Sequence, residues 1–251
     1  MKRLEIWGLE GFPVITGPCD ISKEIVATLK RANPPLDEGD ILIVTHKIVS
    51  KAEGRVIDLS NVEPSREAIE LATKLDKDPR LVEVVLSETE EILRAEQGHL
   101  IVEQRLGYIC ANAGVDRSNA GGPDRVVLLP EDPDRSAQEI RGRITKELNK
   151  EIAVLISDTQ GRPWRNGAVG LCIGLAGMEP LLDLRGRGDL FGYRMTSSIE
   201  CLADELAAAA TLVMGQCDEG IPLALIKGFS FTPAEGSAQE ILREKERDLF
   251  R

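Results

Sequence analysis

In the second half of the chain the sequence reads Ile152-Ala153-Val154-Leu155-Ile156-Ser157-Asp158-Thr159-Gln160-Gly161-Arg162-Pro163-Trp164-Arg165-Asn166-Gly167. The first five residues of this stretch form an unbroken apolar run, which is typical of a strand. The run leads directly into a carboxylate, a hydroxyl and a glycine turn, and two arginines follow. A strand that ends in this way presents Asp158 at its tip, with cationic side chains just beyond it. The pattern therefore suits a metal ion together with a phosphate group.

Strands and helices are mixed along the rest of the chain without a regular βαβ alternation. Several predicted strands follow one another with only turns between them. This order favours an α+β fold (α/β mixed) with mixed, largely antiparallel sheets and helices. The predicted strands are Leu4–Trp7, Ile41–Thr45, Leu100–Glu103, Tyr108–Ala111, Val126–Leu129, Ile152–Ser157, Val169–Leu175 and Leu223–Gly228.

Helices are predicted from their start and stop signals. An aspartate followed by proline opens a helix, a serine three residues before a glutamate forms a capping-box pattern, and a glycine ends a helix. These signals predict helices from Ser65 to about Lys77, from Asp78 to about Ala95, from Ser136 past Leu148, from Ser198 to Met214 before Gly215, and from Ser237 towards the C-terminus.

The chain length of 251 residues allows one large domain or two smaller ones. Two polar loops, residues 112–125 and 183–192, are rich in residues that form turns. We therefore expect a single unit over residues 1–251 that is built from two lobes, with boundaries near these loops.

Composition excludes several classes of function. The net charge of −11 argues against unspecific binding to nucleic acid or to an anionic membrane surface. A polyanionic ligand would need a local cation, so a nucleotide would be held through metal ions or basic side chains. The five cysteines are an odd number without a C-x-x-C pair, which argues against a disulfide framework or a structural zinc site. With no signal-like N-terminus and no long apolar run, the sequence indicates a cytoplasmic protein.

Neither a G-x-x-x-x-G-K-[ST] phosphate loop nor a strand followed by G-x-G-x-x-G occurs in the sequence. The candidates for a ligand site are instead four polar loops that each follow an apolar run. They are the segment after Asp158, residues 113–119 with Asp116 and Asn119, residues 44–54 with His46 and Lys51, and residues 214–222. Each is also compatible with an ordinary turn or a solvated loop, since Asp, Asn and Gly are common turn residues.

These segments can nevertheless carry specific chemistry. A carboxylate such as Asp158 is a hard oxygen ligand for magnesium or manganese, and Thr159 can add a hydroxyl. Arg162 and Arg165 can pair with phosphate oxygens in a bidentate manner. The chain has only two histidines, so a histidine-rich transition-metal site is excluded.

Taken together, the polar segments resemble one family closely, the coenzyme F420 gamma-glutamyl ligases, over nearly the full length of the chain. No single motif is specific, but several long motifs in one order are. The matching segments are residues 10–13 (Glu-Gly-Phe-Pro), 48–55 (Ile-Val-Ser-Lys-Ala-Glu-Gly-Arg), 112–119 (Asn-Ala-Gly-Val-Asp-Arg-Ser-Asn), 158–162 (Asp-Thr-Gln-Gly-Arg), 165–170 (Arg-Asn-Gly-Ala-Val-Gly) and 218–222 (Asp-Glu-Gly-Ile-Pro).

The resemblance implies a GTP-dependent ligase of coenzyme F420 biosynthesis. Such an enzyme joins L-glutamate to the lactyl carboxylate of coenzyme F420-0, releases GDP and phosphate, and in some cases adds a second glutamate through a gamma link. The resemblance further implies two divalent cations (Mg²⁺ or Mn²⁺), a monovalent cation such as K⁺, and an intertwined homodimer with the nucleotide groove near the dimer contact. Some relatives carry a C-terminal redox domain, which is not expected here.

Carried over by position, Asp116 and Asp158 resemble the ligands of one metal, and Thr159 and Gln216 those of a second. The segments that resemble GTP contacts contain Glu10, Gly11, Phe12, Pro13, Thr45, His46, Lys51, Asn119, Met214, Gly215, Gln216, Cys217, Asp218, Glu219, Gly220 and Ile221. Gln216 stands where some relatives have glutamate, and His46 where a small hydroxyl residue is common. Asp116, Asp158, Arg162 and Arg165 are the candidate catalytic residues, the two arginines from their chemistry alone.

Two other classes of function remain open from the residues themselves. One is a nucleotide-binding regulatory protein that uses the same groove without ligation. The other is a metal-dependent phosphohydrolase, which would turn over GTP without glutamate.

Overall fold

The computed structural model describes residues 3–249 and shows the predicted α+β fold. In chain order the elements are β1 (Glu5–Gly8), α1 (Ile21–Leu29), β2 (Ile41–Thr45), α2 (His46–Ala52), β3 (Val56–Asp58), α3 (Arg66–Leu75), α4 (Pro79–Ser87), β4 (Thr89–Glu96), β5 (His99–Gln104), β6 (Ile109–Ala111), β7 (Arg125–Val127), α5 (Pro133–Leu148), β8 (Ala153–Arg162), β9 (Arg165–Ala176), β10 (Leu181–Asp183), β11 (Ile199–Cys201), α6 (Leu202–Met214) and β12 (Leu223–Lys227). Short 3-10 turns lie at Leu59–Asn61, Asn112–Gly114, Ala238–Ile241 and Lys245–Arg247.

The central sheet has five strands in the order β1-β12-β2-β8-β9. Strands β2 and β8 pair in parallel, with Thr45 opposite Ser157 at their carboxyl ends. The other neighbouring pairs in this sheet are antiparallel. Because parallel strands end at the same edge, the residues that follow β2 emerge beside Asp158.

The two inner strands are buried on both faces, which explains their unbroken apolar runs. On one face Leu42 and Val154 belong to a core cluster that also contains residues of α1, α2 and α5. On the other face Ile43 and Leu155 pack in a second cluster with the apolar side of α6. The sheet therefore lies between two helical layers, and its edge carries the polar residues.

The middle of the chain forms a third hydrophobic cluster around α3, α4 and the antiparallel sheet β4-β5-β6. Strands β3 and β7 pair with each other beside this cluster, and β7 also contacts α2. The division into two lobes with boundaries near residues 112–125 and 183–192 stays a prediction.

One predicted helix is too long, and its second half is a strand. Asp78 and Pro79 open α4 as predicted, but the helix ends at Ser87 and residues 89–96 form β4. Strand β4 pairs with β5, so sheet pairing overrides the local pattern. The change of direction is fixed at Glu88, whose buried carboxylate accepts hydrogen bonds from Arg55 and Arg105.

Two other predicted helix starts are wrong, and one predicted helix is only a short turn. Helix α5 begins at Pro133, because the carboxylate of Asp132 caps it, and Ser136 lies within its first turns. Residues 199–201 form β11 against β10, so α6 begins only at Leu202, although Gly215 ends it as predicted. Ser237 does form a capping box with Glu240, but it opens only one 3-10 turn.

Several short elements were not predicted from the sequence, namely α1, α2, β3, β10 and β11. Helix α2 has seven residues and is the most important of them for the site, because it begins directly where β2 ends. Among the helices of residues 3–249, none is long and apolar enough to cross a membrane. All five cysteines are free.

Candidate functional site

A cleft of about 530 Å³ opens at the strand edge where β2 and β8 end. This volume falls within the usual range for small-molecule sites. Five separate parts of the chain converge there. Its walls are formed by residues 12–15, by Thr45, His46, Lys47, Ile48 and Lys51, by Asp116, Ser118 and Asn119, by Ser157, Asp158 and Thr159, and by Thr211, Met214 and residues 215–222.

Asp158 lies at the point where β8 leaves the core. A register shift between Ile156 and Ser157 interrupts the pairing with β9 just before it, which is how a bulge redirects side chains. Its Oδ1 accepts a hydrogen bond from the N–H of Thr159 at 2.7 Å, and its Oδ2 accepts one from Nε2 of Gln160 at 2.9 Å. The carboxylate is therefore fixed by its own strand.

Asp158 is held in its ionised form although it is mostly buried. Burial alone raises the pKa of a carboxyl group, but here His46 and the hydrogen bonds from Gln160 and Thr159 outweigh it and lower the pKa of Asp158 below its usual value. His46 Nε2 lies 3.3 Å from Oδ1 of Asp158. A carboxylate that remains charged in a cleft is ready to bind a cation.

Asp116 is presented by an unusual turn. Asn112, Ala113 and Gly114 all have positive φ angles of 52°, 54° and 72°. The chain then returns to extended form, and Asp116 makes two backbone hydrogen bonds with Val127 on β7. Positive φ is strained for alanine, and such strain is typical of functional sites. The turn delivers the carboxylate to the cleft from an element outside the central sheet.

The carboxylate of Asp116 is ion-paired and hydrogen-bonded. Lys47 Nζ lies 2.7 Å from Oδ2 and also contacts the hydroxyl of Ser118. Ser118 donates from both its N–H and its hydroxyl to the same carboxylate, at 2.7 and 2.8 Å. Burial raises the pKa of Asp116, but these partners outweigh it and lower that pKa overall. His46 and Lys47 are adjacent in the first turn of α2. His46 contacts Asp158, and Lys47 contacts Asp116, so one helix turn contacts two aspartates that come from different parts of the chain.

Lys51 stands one turn further along α2. Partial burial and the neighbouring charge of Lys47 lower the pKa of Lys51. Within residues 3–249 no carboxylate forms an ion pair with it, so its ammonium is available to an anionic ligand in the cleft. A lysine on this wall offsets, locally, the negative charge of the whole chain.

The loop after α6 closes the cleft from the opposite side. Gly215 has a positive φ of 71°, and the carboxylate of Glu219 folds back against it to accept the Cys217 N–H at 2.8 Å. Asn119 Nδ2 donates to the carbonyl oxygen of Cys217 at 3.0 Å, which ties this loop to the segment that carries Asp116. The two walls are therefore held at a fixed separation.

The donor set of the cleft fits hard divalent cations. Asp116, Asp158, Thr159 and Gln216 all line it and offer two carboxylates, a hydroxyl and an amide oxygen. Among the described residues no cluster of three or more His, Cys, Asp or Glu side chains is arranged to hold a metal. Magnesium typically binds through one or two carboxylates and completes its shell with substrate phosphates and water. This cleft has the composition of such a shared site.

The structure brings most of the predicted site residues together but not all. The cleft is lined by Phe12, Pro13, Thr45, His46, Lys51, Asp116, Asn119, Asp158, Thr159 and residues 214–221. Glu10 and Gly11 are not among the lining residues. Lining residues outside the predicted set include Val14, Ile15, Lys47, Ile48, Ser118, Ser157, Thr211 and Pro222. The sequence could have indicated Lys47 and Ser118, since each is adjacent to a predicted site residue.

Arg162 and Arg165 lie outside the cleft. They face each other across the tip of the β8–β9 hairpin and are exposed on both sides of Trp164. In the described part of the chain no carboxylate pairs with either guanidinium. The hairpin continues directly from Asp158, so these cations project beyond the carboxylate rather than into the cleft.

Comparison with known proteins assigns the chain to a family. The family model described as F420-0:Gamma-glutamyl ligase matches residues 11–228. Proteins named Coenzyme F420:L-glutamate ligase are similar over almost the whole length. The one from Methanothermobacter thermautotrophicus is 43% identical over 250 residues, covering 99% of each chain. The one from Methanopyrus kandleri is 48% identical over 230 residues, 90% of this chain and 91% of its own. The one from Archaeoglobus fulgidus is 39% identical over 249 residues, which cover 99% of this chain and 97% of its own.

Proposed function

The chain belongs to the F420-0:gamma-glutamyl ligase family, and we propose that it joins L-glutamate to coenzyme F420-0 at the expense of GTP, as a step of coenzyme F420 biosynthesis. The observation that supports this function best is the convergence of Asp116, Asp158 and Lys51 in one cleft. Two ionised carboxylates and an unpaired ammonium suit a metal-bound triphosphate. The similar proteins from Methanothermobacter thermautotrophicus and Methanopyrus kandleri are named Coenzyme F420:L-glutamate ligase, which agrees with the ligation step.

The proposed reaction has two steps, because a carboxylate does not form an amide in water without activation. An oxygen of the F420-0 lactyl carboxylate attacks the γ-phosphorus of GTP, the bond to the β-phosphate oxygen breaks, and GDP leaves. The glutamate nitrogen then attacks the resulting acyl phosphate, phosphate leaves with the carbon–oxygen electron pair, and the nitrogen loses its proton. Positioning and charge stabilisation supply most of the catalysis in phosphoryl transfer.

Each wall of the cleft has a proposed role. Asp116, Asp158, Thr159 and Gln216 would hold two divalent cations, Mg²⁺ or Mn²⁺, which supply charge neutralisation at the phosphates when bound. Lys51 contacts a phosphate oxygen through its ammonium. Asn119, the residues at Phe12 and Pro13, the Thr45-His46 pair and the loop 214–221 surround the rest of the nucleotide. Glu10 and Gly11 act through the turn that carries Phe12.

Arg162 and Arg165 are proposed to bind the other substrate. Coenzyme F420-0 carries a phosphodiester next to the reacting carboxylate, and arginine pairs with such an oxyanion in a bidentate manner. Arg162 lies four positions after Asp158 along the extended strand, which is about 13 Å. An arginine side chain can cover roughly half of that distance back towards the cleft. The hairpin is thus a natural place for a substrate that lies partly outside the nucleotide cleft.

The remaining features of the proposal rest on family membership. They are a monovalent cation such as K⁺, a homodimer with the groove near its contact, and a cytoplasmic location. Within the described chain, the two-stranded arm of β10, β11 and the segment between them offers a surface for the dimer contact. At its tip Leu190 and Phe191 are 98% and 95% exposed, and such adjacent exposure of large apolar side chains is typical of interaction surfaces.

The metal assignment is tested by Asp158→Asn and Asp116→Asn. Each substitution removes a charged ligand while keeping the side-chain shape. We expect GTP hydrolysis coupled to F420-0 and glutamate to fall by about 10²–10³ in kcat, the range for loss of one electrostatic contact to the transition state. Asp124→Asn, in the same loop as Asp116 but outside the cleft, is the control and should retain its rate.

Product analysis separates ligation from other uses of the cleft. Mass spectrometry after incubation with F420-0, GTP, glutamate and Mn²⁺ should show the glutamyl product and the number of glutamates added. GTP turnover that proceeds equally without glutamate would indicate a phosphohydrolase instead. Nucleotide binding without any turnover would indicate a regulatory protein.

A further inference from the structure

His46 is a buried polar residue in the wall of the cleft with one nitrogen left without a hydrogen bond. Its side chain is 2% exposed. Nδ1 lies 3.3 Å from the hydroxyl oxygen of Ser50, one turn along α2. Nε2, on the other edge of the ring, lacks a partner that meets hydrogen-bond geometry. A buried nitrogen without a hydrogen bond costs free energy, so its position calls for a reason.

The reason lies in the carboxylate that Nε2 faces. An ionised carboxylate has about four lone-pair directions. At Asp158, Oδ1 accepts from the N–H of Thr159 and faces Nε2 of His46 at 3.3 Å. Oδ2 accepts from Gln160 Nε2 at 2.9 Å. Two directions therefore accept hydrogen bonds, Nε2 of His46 lies close to a third, and the direction that remains open is on Oδ2.

The imidazole is also oriented for this contact. A serine hydroxyl beside Nδ1 can donate to it, and in that arrangement the ring proton is on Nε2, the nitrogen that faces Asp158. The backbone of α2 fixes the ring further, since His46 begins the helix and Ser50 lies on the same helical face. The chain thus holds the carboxylate from a second element, across the parallel pair β2–β8.

We propose that His46 is a positioning residue, which fixes the carboxylate of Asp158 so that a single lone pair of Oδ2 is left for a divalent cation. The inference rests on the proposed function, because it takes Asp158 as a metal ligand. Groups that orient metal ligands without touching the metal commonly affect metal affinity by about 10- to 100-fold.

The test compares two amides at this position. In His46→Gln the side-chain nitrogen reaches the place of Nε2, whereas in His46→Asn it reaches only the place of Nδ1. Both variants are polar and smaller than or similar to histidine, so they differ mainly in whether a donor faces Asp158. Binding of Mn²⁺ alone is measured from the electron paramagnetic resonance signal of the free ion, and urea unfolding shows that each variant is folded.

We expect His46→Gln to bind Mn²⁺ within about threefold of the unsubstituted protein and His46→Asn to bind about 10- to 100-fold more weakly. His99→Asn, at an exposed histidine, should leave binding unchanged. A folded His46→Asn variant with unchanged Mn²⁺ affinity overturns the proposal. Should that variant be unfolded, His46→Gln decides alone, and a folded His46→Gln weakened by more than about tenfold contradicts the inference.

Asp158→Asn distinguishes this inference from the proposed function. If Asp158→Asn binds Mn²⁺ as well as the unsubstituted protein does, the metal assignment itself is wrong. If Asp158→Asn loses binding and His46→Asn keeps it, the metal site stands and only the positioning role of His46 fails.

Discussion

Gly114 lies in the turn that positions Asp116 in the cleft. It is the third residue of the left-handed turn that precedes Asp116, with a φ of 72°. A Cβ atom there would lie 2.7 Å from Cγ of the buried Leu129, closer than side-chain carbons approach. The position therefore requires glycine for two independent reasons, conformation and space.

Substitution of Gly114 by alanine should be strongly destabilising. The left-handed conformation costs a residue with a Cβ about 1–2 kcal/mol, and overpacking against a buried side chain about 1–3 kcal/mol. We expect a loss of about 2–4 kcal/mol in the free energy of unfolding, measured by urea denaturation. Gly122→Ala, in the same loop without a positive φ and with Arg125 at ordinary distance, should change stability by less than about 1 kcal/mol. Equal effects of the two substitutions would rule out this account.

Most of the predicted site residues line the cleft, but they were predicted for different reasons. Asp158 stands out because an apolar strand leads into it. Asp116 and Lys51 were identified by family resemblance, since an Asp or Lys in a polar segment is usually just a turn residue. The contacts of His46 and Lys47 with the two aspartates were not predictable, because they depend on which strands pair in parallel.

Helix α5 is held in place by one carboxylate in its first turn. Asp134 accepts hydrogen bonds from the N–H of Leu175 on β9 at 2.7 Å and from the N–H of Ala238 at 3.0 Å. It also accepts one from the hydroxyl of Ser237 at 2.6 Å. One side chain thus joins the helix, the edge strand of the central sheet and the C-terminal turn.

Removal of this carboxylate should destabilise the whole unit. Asp134→Ala leaves partly buried donors without acceptors, at about 1–3 kcal/mol each. For the two backbone donors, the N–H groups of Leu175 and Ala238, we expect a combined loss of about 2–6 kcal/mol in the free energy of unfolding. Glu139→Ala, which breaks an exposed ion pair with Arg135 on the same helix, should cost less than about 1 kcal/mol. A small effect of Asp134→Ala in chemical denaturation would show that β9 and the C-terminal turn are held mainly by packing.

Asp204, in the first turn of α6, gives a prediction about pH. Burial raises the pKa of Asp204 above its usual value, and the hydrogen bond from the Cys172 N–H only partly opposes this. A folded pKa above the unfolded pKa means that the native state binds the proton more tightly. The contribution of this group to stability is therefore full below the unfolded pKa of about 3.9 and is lost as pH rises through the folded pKa.

Asp204→Asn removes this dependence and keeps an oxygen that accepts the Cys172 N–H. We expect the variant to gain stability relative to the unsubstituted protein between about pH 4 and pH 7, so that its free energy of unfolding becomes larger by comparison. Urea unfolding at both values measures it, with Glu205→Gln at the exposed neighbouring residue as the control. A difference that is the same at both pH values would contradict the raised pKa.

At the scale of elements, capping signals predicted more than periodicity did. Asp78-Pro79 and Gly215 mark observed helix ends. The same Asp-Pro signal at Asp132-Pro133 opens α5, whereas the sequence prediction placed the start of this helix at Ser136. The end of α4 was not predictable, since no glycine or proline follows Ser87 and strand β4 depends on pairing with β5. Helix α2 is too short for a periodic pattern and is stabilised by burial of Ile48, Val49 and Ala52.

At the scale of the whole molecule, two elements project from the central sheet. One is the β8–β9 hairpin with Trp164 at its tip, and the other is the arm that contains β10 and β11. The arm is ordered by Asp189, whose Oδ1 accepts the N–H groups of Phe191 and Tyr193 at 2.8 Å each. A tip that is fixed by hydrogen bonds and still exposes Leu190 and Phe191 keeps its apolar side chains in a defined shape, which favours a specific contact with a second copy.

The proposed homodimer therefore predicts a particular loss. Phe191→Asp places a charge on the arm tip, and burial of an unpaired charge in an interface is costly. We expect the unsubstituted protein to sediment as a dimer at micromolar concentration and Phe191→Asp to shift to monomer, with the dissociation constant raised by about 10²-fold or more. Ile69→Asp, at a partly exposed apolar residue of α3 far along the chain, should remain dimeric and controls for added charge.

Because the four proposed metal ligands all line the cleft of a single copy, Mn²⁺ binding by monomeric Phe191→Asp should be retained. Dimeric Phe191→Asp in analytical ultracentrifugation would place the contact elsewhere on the surface.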